Sequence, residues 1–293
     1  MKPYVNLGCG SRFHPDWVNI DLNSSHPQVI AHDLSKGIPL ADSSCQVAYH
    51  SHVLEHIQPA GALFFLRECH RVLQPGGIIR VATPDLERMC RAYLACLEGA
   101  LRGETSAIHG REWMVLEMLD QLVRERSGGE MAAYLQRKSI PNAAFIIERI
   151  GEEGRGLLEP AAPNAPEASP PMRPAGDRSK SRVFLSRIYR FPQRTLRAVR
   201  RRFKRLLTQL ALDQRQKKAL EIGLFRLSGQ VHQWLYDRYS LSEILNESGF
   251  ANPEPKEANQ SAIPDWAAFH LEVTPEGRII KPDSLFMEAR KLQ

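Results

Sequence analysis

The feature that most constrains the fold is a bare glycine turn directly after the first apolar run. Residues 4–12 read YVNLGCGSR, so the strand-like run Tyr4–Leu7 is followed at once by Gly8, Cys9 and Gly10. Glycine tolerates positive φ angles and allows close approach to the backbone. In doubly wound α/β folds, a turn at this position lines the ligand crevice. Because Phe13 stands where G-x-G-x-x-G has its third glycine, the pattern argues against a nicotinamide dinucleotide.

Short apolar runs alternate with turns and one helical pattern up to about residue 98. We predict strands at 4–7, 17–21, 28–32, 46–50 and 78–83, with a helix over LFFLRECHRVL that ends before Pro75, Gly76 and Gly77. This alternation is typical of an α/β domain with a parallel sheet. The stretch from Gly10 to Asp21 is short for a crossover between parallel strands, so we expect the first helix to be reduced to a turn.

The rhythm changes after residue 98, which predicts a helical insertion over 99–231 between the two parts of the α/β domain, 1–98 and 232–293. Two helical stretches, SAIHGREWMVLEMLDQLVRERSGG and MAAYLQRKSIPNAAFIIERIG, open the insertion. Residues 152–181 are rich in Pro, Ala and Ser and predict a disordered linker. After about residue 233 the pattern predicts a helix over SLSEILNESGF and strands within PEPKEA, FHLEV and SLFMEAR.

Composition narrows the class of protein. The chain has 293 residues, no run of about 20 apolar residues and no apolar stretch at its start, so we expect a cytoplasmic protein. The five cysteines lack metal-ligand spacing and predict neither a disulfide framework nor a zinc site. The net charge of +6 is concentrated between Arg178 and Lys218. Residues 192–218 predict a basic amphipathic helix, which suits an anionic membrane surface or packing on the domain, whereas nucleic acid binding is unlikely without stacking aromatics.

Acidic side chains follow the second and third predicted strands. Asp21 ends WVNIDLN, where a carboxylate can accept both hydroxyls of a ribose, and Asp33 in AHDLSKGIPL is placed to meet an adenine amino group. The fourth strand continues into YHSHVLEHI, and RVLQPGG precedes the fifth. With LEH after strand four and RVLxPGG before strand five, the chain resembles class I S-adenosylmethionine-dependent methyltransferases over residues 1 to about 90 and again from about 236.

This resemblance implies a Rossmann-like doubly wound sheet, mostly parallel with an antiparallel final strand, and S-adenosylmethionine as cofactor. Backbone of the glycine turn would contact the methionine part, Asp21 the ribose, and Asp33 with Leu34 the adenine. Asn6 stands where most of the family has an acid, and an amide oxygen can still accept a hydrogen bond there. The cofactor-binding residues expected are Asn6, Gly8, Cys9, Gly10, Asp21, Asp33, Leu34, His50 and Ser51.

Histidine suits removal of a proton from an acceptor hydroxyl because its pKa lies near neutrality. The group His50, Ser51, His52 and His56 faces the expected methyl position, and His52, with His56 as second choice, is the candidate base. Both could instead be structural. HVLEH also matches H-x-x-E-H of inverted zinc peptidases, but Pro59 and Gly61 interrupt the helix that motif requires. By resemblance to quinone-biosynthesis methyltransferases, Glu55 and His56 could hold magnesium, but we expect no metal, because His52 replaces an acid.

The C-terminal part resembles predicted methyltransferases that accompany bacterial surface-polysaccharide synthesis. That implies a small-molecule, sugar or lipid-linked glycan acceptor. Aromatic faces and arginine suit sugars and phosphates, and the candidates are Trp234, Tyr236, Arg238 and Tyr239, which could equally serve packing and surface ion pairs. The alternative is a non-catalytic S-adenosylmethionine-binding or scaffold protein whose basic insertion binds a membrane or a partner.

Overall fold

The computed structural model describes residues 3–24, 26–158 and 212–292, which fall into two units, Met1–Pro160 with Phe225–Gln293, and Ala161–Leu224. The first unit contains a seven-stranded sheet of order β3-β2-β1-β4-β5-β7-β6. Its strands are β1 Tyr4–Leu7, β2 Val18–Asp21, β3 Val29–Ala31, β4 Cys45–Ser51, β5 Leu73–Pro84, β6 Phe250–Lys256 and β7 Ser284–Lys291. The predicted α/β class is confirmed.

The five N-terminal strands are parallel, whereas β7 runs antiparallel to both β5 and β6. Leu7 is paired with Ile20 on one side and His50 on the other, and Ser51 is paired with Ala82. This register brings the carboxyl ends of β1, β2, β4 and β5 to one edge of the sheet. The mostly parallel sheet with an antiparallel final strand is therefore as expected.

The helices of the described residues are α1 Pro59–Val72, α2 Leu86–Leu101, α3 Thr105–Val123, α4 Gly129–Leu135, α5 Ala143–Leu158, α6 Gln214–Arg226 and α7 Arg238–Glu247. Helix α1 begins at a proline, whose fixed φ suits the first helical turn. Asp237 caps α7 in a reciprocal capping box with Ser240. Residues 8–17, all described, contain no helix, so the prediction of a reduced first crossover is confirmed.

Apolar side chains cover both faces of the sheet. On one face, Phe65 and Leu66 of α1 and Leu241 and Leu245 of α7 are buried against the strands. On the other face lies a hydrophobic cluster in which the aromatic side chains Trp17, Tyr49 and Trp266 pack with Ile263 and Leu271. A separate cluster around Trp113 and Met114 joins α2 through α5. The parallel strands are thus covered on both faces, as is usual for a parallel sheet.

Helix α5 extends into the segment predicted to be a disordered linker. The prediction of a linker starting at 152 is wrong for residues 152–158, which lie in α5, and residues 159–181 lie outside the described part. Gly151 has φ +60, and a Cβ there would lie 2.5 Å from the carbonyl oxygen of Ile280. The next residue, Glu152, donates its N–H to that carbonyl and pairs with Arg278. Glycine at 151 thus bends the helix and anchors its last turns.

One C-terminal prediction also fails. FHLEV is not a strand: Trp266–Phe269 forms a 3-10 turn, and Val273 makes an isolated bridge to Ile279. The apolar side chains of this stretch are instead buried beneath the sheet, with Leu271 at 4% exposure. An apolar run of this length does not distinguish a strand from a packed loop.

The second unit is described only over residues 212–224, which include most of α6. The backbone N–H of Gln216 donates a hydrogen bond to Asp213 Oδ1 at 2.8 Å, and the backbone N–H of Asp213 donates one to Gln216 Oε1. Residues 214–218 of the predicted basic helix are helical, whereas residues 192–211 lie outside the described part. Within the described ranges, no helix has the length and apolar character to cross a membrane.

A fully buried ion cluster joins the C-terminal loop to the sheet. Arg80 of β5 is 0% exposed and contacts Glu272 at 2.5 Å and Glu288 at 2.7 Å. It also donates to the carbonyl oxygens of residues 257, 258 and 260 and lies 4.5 Å from the Trp266 ring centroid. Burial raises the pKa of Glu272 to about 7, against the lowering effect of Arg80. One guanidinium therefore holds two buried carboxylates.

We expect Glu272→Gln to change how stability depends on pH. Because the folded-state pKa of Glu272 lies above its unfolded value, the folded protein binds more protons between about pH 4.5 and 7. The free energy of unfolding contributed by this group is complete below that range and falls as pH rises through it, by at most about 1.4 kcal/mol per pH unit.

Denaturant unfolding of wild type and Glu272→Gln between pH 5 and 8 measures this contribution as the difference between the two curves. The wild type should lose stability relative to the variant as pH rises. Glu148→Gln, on an exposed position of α5, is the control and should leave the wild-type slope unchanged. Parallel curves for wild type and Glu272→Gln would contradict the shifted pKa.

Candidate active site

The glycine turn forms the floor of a cleft at the carboxyl edge of the sheet. Gly8 and Gly10 have φ +68 and +54. A Cβ on Gly8 would lie 2.3 Å from Val53 Cγ2, whereas a Cβ on Gly10 would meet nothing within 4 Å. The absence of a side chain at Gly8 therefore lets Val53, in the turn after β4, pack against the backbone. Gly10 faces open space. Of the two glycines, Gly10 is the one whose Cβ position is open to a ligand.

The amide groups of this turn are already bonded. Gly8 and Cys9 both donate their N–H to the carbonyl of Ile20, and Gly10 donates to Asp21 Oδ2 at 2.9 Å. The turn is thus fastened to β2 by its own N–H groups. A ligand in the cleft meets the open side of Gly10 rather than a row of free N–H donors.

The cleft has a cavity volume of about 390 Å³. Its lining includes predicted residues Asn6, Gly8, Cys9, Gly10, Ser51 and His52, joined by Ser11, Arg12, Tyr49, Glu152, Glu153, Leu271, Ile280 and Lys281. Asn6 is buried at the end of β1, where its amide nitrogen donates to the Arg12 carbonyl at 3.2 Å. The structure thus brings five of the nine predicted cofactor residues, Ser51 of β4 among them, together in one cleft with the candidate base, His52.

Three predicted residues lie elsewhere. Asp33 caps a 3-10 turn, accepting from Ser35 and pairing with Lys36, and Leu34 packs against the core. His50 is 0% exposed, with its ring 5.1 Å from Phe65, because alternate residues of β4 point to opposite faces. Burial lowers the pKa of His50 to about 4, so the ring is neutral. None of the three lines the cleft; Asp21 stands at its edge through its bond to Gly10.

Cys9 is kept unreactive by its surroundings. Burial, together with the neighbouring Asp21 carboxylate, raises the pKa of the Cys9 thiol to about 11. The thiolate is the nucleophilic form of cysteine. A protonated thiol therefore lies against the cleft without competing for an electrophile bound there.

His52 is held in a strained turn directly after β4. Its φ is +53, and its N–H donates to the carbonyl of Ala82 at 2.8 Å. The ring is held from both sides, with Nδ1 3.1 Å from Glu55 Oε1 and Nε2 2.9 Å from Ser284 Oγ. Left-handed backbone in a residue other than glycine is costly and is often found at functional sites.

A second cavity lies on the other side of His52. Its volume is about 520 Å³, within the range of small-molecule sites. Polar and charged residues dominate one part of the lining: His52, His56, Glu117, Gln121, Arg124, Glu153, His232, Lys281 and Asp283. His52, Glu153 and Lys281 line both cavities. The two candidate bases are thus both at the second cavity, but only His52 also reaches the first.

Residues 230–234 close this cavity by docking on the turn after β4. The N–H groups of Gln233 and Trp234 donate to the Glu55 carbonyl, and His56 Nδ1 lies 3.3 Å from the carbonyl of Val231. The N–H of His232 donates to the carbonyl of Gln121 in α3. These bonds bring the His232 ring to 4.8 Å from that of His56.

The sequence did not indicate His232, Glu117, Gln121, Lys281 or Asp283. Each lies in a segment whose pattern signals only a helix or a loop, and the long separation of His56 from His232 hides their contact. The four acceptor candidates, Trp234, Tyr236, Arg238 and Tyr239, were expected to line an acceptor pocket or to serve packing and surface ion pairs. Tyr236 is buried, Trp234 and Tyr239 are 50% and 69% exposed, and Arg238 pairs with Glu87, so this set does not line the second cavity.

Burial controls the charges around Glu55, which is 0% exposed. Burial raises its pKa, but His52, His56 and His232 together bring it below its ordinary value. Burial lowers the pKa of His56 and lowers that of His232 to about 3, although Glu55 acts in the opposite direction. Burial thus disfavours the charged forms of the His56 and His232 rings, while these rings and His52 favour the charged form of Glu55.

Comparison with protein families identifies the segment that carries the glycine turn. Residues 6–81 match the family model described as "Methyltransferase domain". A Mycolicibacterium smegmatis protein named "Probable S-adenosylmethionine-dependent methyltransferase" is 37% identical over 65 residues, which are 22% of this chain and 24% of that protein. The aligned part thus spans about a quarter of the length of this relative.

Two solved structures show likeness over a similar share. An S-adenosylmethionine-dependent methyltransferase from Mesorhizobium loti is 21% identical, covering 28% of this chain and 46% of that one, with a TM-score of 0.21. Another from Archaeoglobus fulgidus is 17% identical, covering 31% and 50%, with a TM-score of 0.25. The match to the family model alone makes residues 6–81, from β1 into β5, similar to the methyltransferase domain family.

Proposed function

We propose that this chain is an S-adenosylmethionine-dependent methyltransferase that acts on a small-molecule, sugar or lipid-linked glycan acceptor. The observation that carries the proposal is the position of His52, which lines both the cleft at the glycine turn and the polar cavity beside it. Transfer of a methyl group to a hydroxyl is favoured by adjoining sites for the two molecules and by a proton acceptor between them.

The cleft suits the cofactor on three observations. It lies at the carboxyl ends of parallel strands, the usual ligand position in this fold class. Gly10 presents a backbone surface that no side chain covers, and the Asp21 carboxylate stands beside it. The matched family segment, residues 6–81, contains these residues. When bound, the cofactor supplies an electrophilic methyl group on a sulfonium.

The residues of this chain would orient the acceptor and remove its proton. With Nδ1–H donated to Glu55, His52 Nε2 keeps a lone pair, which now faces the Ser284 hydroxyl. An acceptor hydroxyl taking the place of that hydroxyl would be positioned to give its proton to Nε2. The methyl group that its oxygen receives would come from the bound cofactor, whose carbon–sulfur bond breaks with the electron pair going to sulfur. Glu55 holds the ring in the required tautomer, because a carboxylate accepts only a hydrogen-bond donor.

The second cavity favours a polar acceptor. Glu117, Gln121, Arg124 and Asp283 combine acceptors and donors on its wall, a combination that suits several hydroxyl groups rather than an apolar ligand. The resemblance of the C-terminal part to proteins of surface-polysaccharide synthesis supports a sugar or lipid-linked glycan. The alternative is a protein that binds the cofactor without catalysis; transfer to an acceptor separates the two.

We expect Asp21→Asn to weaken S-adenosylmethionine binding by about 1–3 kcal/mol, as is typical for loss of a charged hydrogen-bond acceptor. Asparagine keeps one oxygen for the N–H of Gly10, so the turn should persist. Isothermal titration calorimetry measures the affinity. Asp16→Asn, an exposed acid on the loop after the glycine turn, is the control and should bind as the wild type does. Equal affinity in wild type and Asp21→Asn would remove Asp21 from the site.

We expect His52→Gln to lower methyl transfer by about 10²–10⁴-fold, the usual contribution of a general base, while cofactor affinity stays within a few fold. Methyl-labelled cofactor is incubated with a panel of monosaccharides and with bacterial envelope glycolipid extract, and labelled product is counted. His26→Gln, at an exposed position, should match the wild type. Full activity in His52→Gln would contradict the base assignment; cofactor binding without any transfer would favour the non-catalytic alternative.

A further inference from the structure

Three side chains beside His52 carry donor atoms that converge on one point. One ligand atom each from Glu55, His56 and His232 lies within 4.8 Å of the others. Glu55 and His56 come from the turn after β4, and His232 comes from the segment that docks on this turn. Two imidazoles and one carboxylate are the donor set of catalytic zinc sites and of related transition-metal sites.

We propose that Glu55, His56 and His232 bind a divalent transition-metal ion of the zinc class at the wall of the second cavity. Nitrogen donors select such ions over magnesium and calcium, which prefer a shell of oxygen ligands. Metal binding does not depend on the proposed function; only a role for the ion in methyl transfer rests on it.

The orientation of the rings fits this proposal. His56 Nδ1 lies 3.3 Å from the Val231 carbonyl, which accepts a hydrogen bond from the N–H of that nitrogen and leaves Nε2 as the ligand atom. Among the described residues, the His232 ring makes no hydrogen bond, and it lies 4.8 Å from the His56 ring, centroid to centroid. Metal-bound histidines typically donate their other ring N–H to a carbonyl or carboxylate, as His56 does here.

Glu55 is oriented in the same way. Its carboxylate is fully buried, with His52 Nδ1 3.1 Å from Oε1 and Thr83 Oγ1 3.4 Å from Oε2. A buried carboxylate is costly unless cations or donors compensate its charge. A divalent cation held between this carboxylate and the rings of His56 and His232 would compensate that charge.

The geometry requires a small contraction. Metal–ligand bonds of about 2.0–2.2 Å place tetrahedral donor atoms roughly 3.4 Å apart. The side chains must therefore draw together from separations of up to 4.8 Å. Because His56 and His232 line the second cavity, the remaining coordination position would open onto the proposed acceptor.

The test is direct metal binding to the full chain, purified without a histidine tag and stripped with a chelator. Zn²⁺ affinity is measured by competition with a chromophoric chelator, and Co²⁺ is added to record visible absorption. We expect one ion per chain and the absorption of a four- or five-coordinate nitrogen–oxygen site. His232→Gln and His56→Gln should each weaken Zn²⁺ binding about tenfold or more, because each removes one of three ligands.

His26→Ala is the matched control and should retain wild-type affinity, since its exposed ring lies outside the site. Circular dichroism and S-adenosylmethionine affinity of each variant show that it is folded. Three results would each overturn the proposal. They are the absence of saturable Zn²⁺ binding by the wild type, a wild-type Zn²⁺ affinity in both His232→Gln and His56→Gln, and an absorption typical of sulfur ligands with Co²⁺. Because cofactor binding is measured separately, a negative metal result leaves the proposed methyltransferase function standing.

Discussion

The buried guanidinium of Arg80 is the interaction on which much of the C-terminal architecture depends. It joins β5 to Glu272 and Glu288 and to carbonyl groups of residues 257–260. Removing one partner of a buried ion pair costs about 3–5 kcal/mol because the other charge is left uncompensated. The same cluster supports the cleft, since Tyr49, a cleft residue, hydrogen-bonds to Glu272. Loop 257–272 has little regular structure, and its contacts with Arg80 fix it to the sheet.

The turn after β4 is the second point at which distant parts of the chain meet. Its strained His52 contacts Ser284 of β7, and its Glu55 carbonyl receives two N–H groups from residues 233–234. Gly8 contributes by having no side chain, because a Cβ there would overlap Val53. The turn after β4 therefore contacts both the glycine turn and segment 230–234, so the positions of the three segments depend on one another. A change in any of them is expected to move both cavities together.

The sequence predicted the part of the fold that depends on local pattern. Strands β1 to β5, the shortened crossover and helices α1 and α7 follow from apolar periodicity, capping and proline position. The sequence also indicated the turn Gly8–Gly10, because glycine after an apolar run marks backbone that can adopt positive φ angles. His50 was misplaced because strand alternation depends on register, which turns its side chain toward Phe65. His232 had no signal at all, because hydrogen bonds to residues 121 and 55 bring it into place.

The proposed base and the proposed metal site share Glu55, and the two roles are compatible in charge and geometry. A carboxylate has two oxygens, and here one lies 3.1 Å from His52 while the other is weakly bonded to Thr83 at 3.4 Å. An ion held through the second oxygen would leave the His52 contact intact. Glu55 would then act on two partners at once, orienting the His52 ring through one oxygen and holding the ion through the other. The chemistry that such an ion would supply is Lewis acidity toward an oxygen ligand. Because both roles depend on one buried carboxylate, replacing Glu55 would disturb the orientation of His52 and the metal site together.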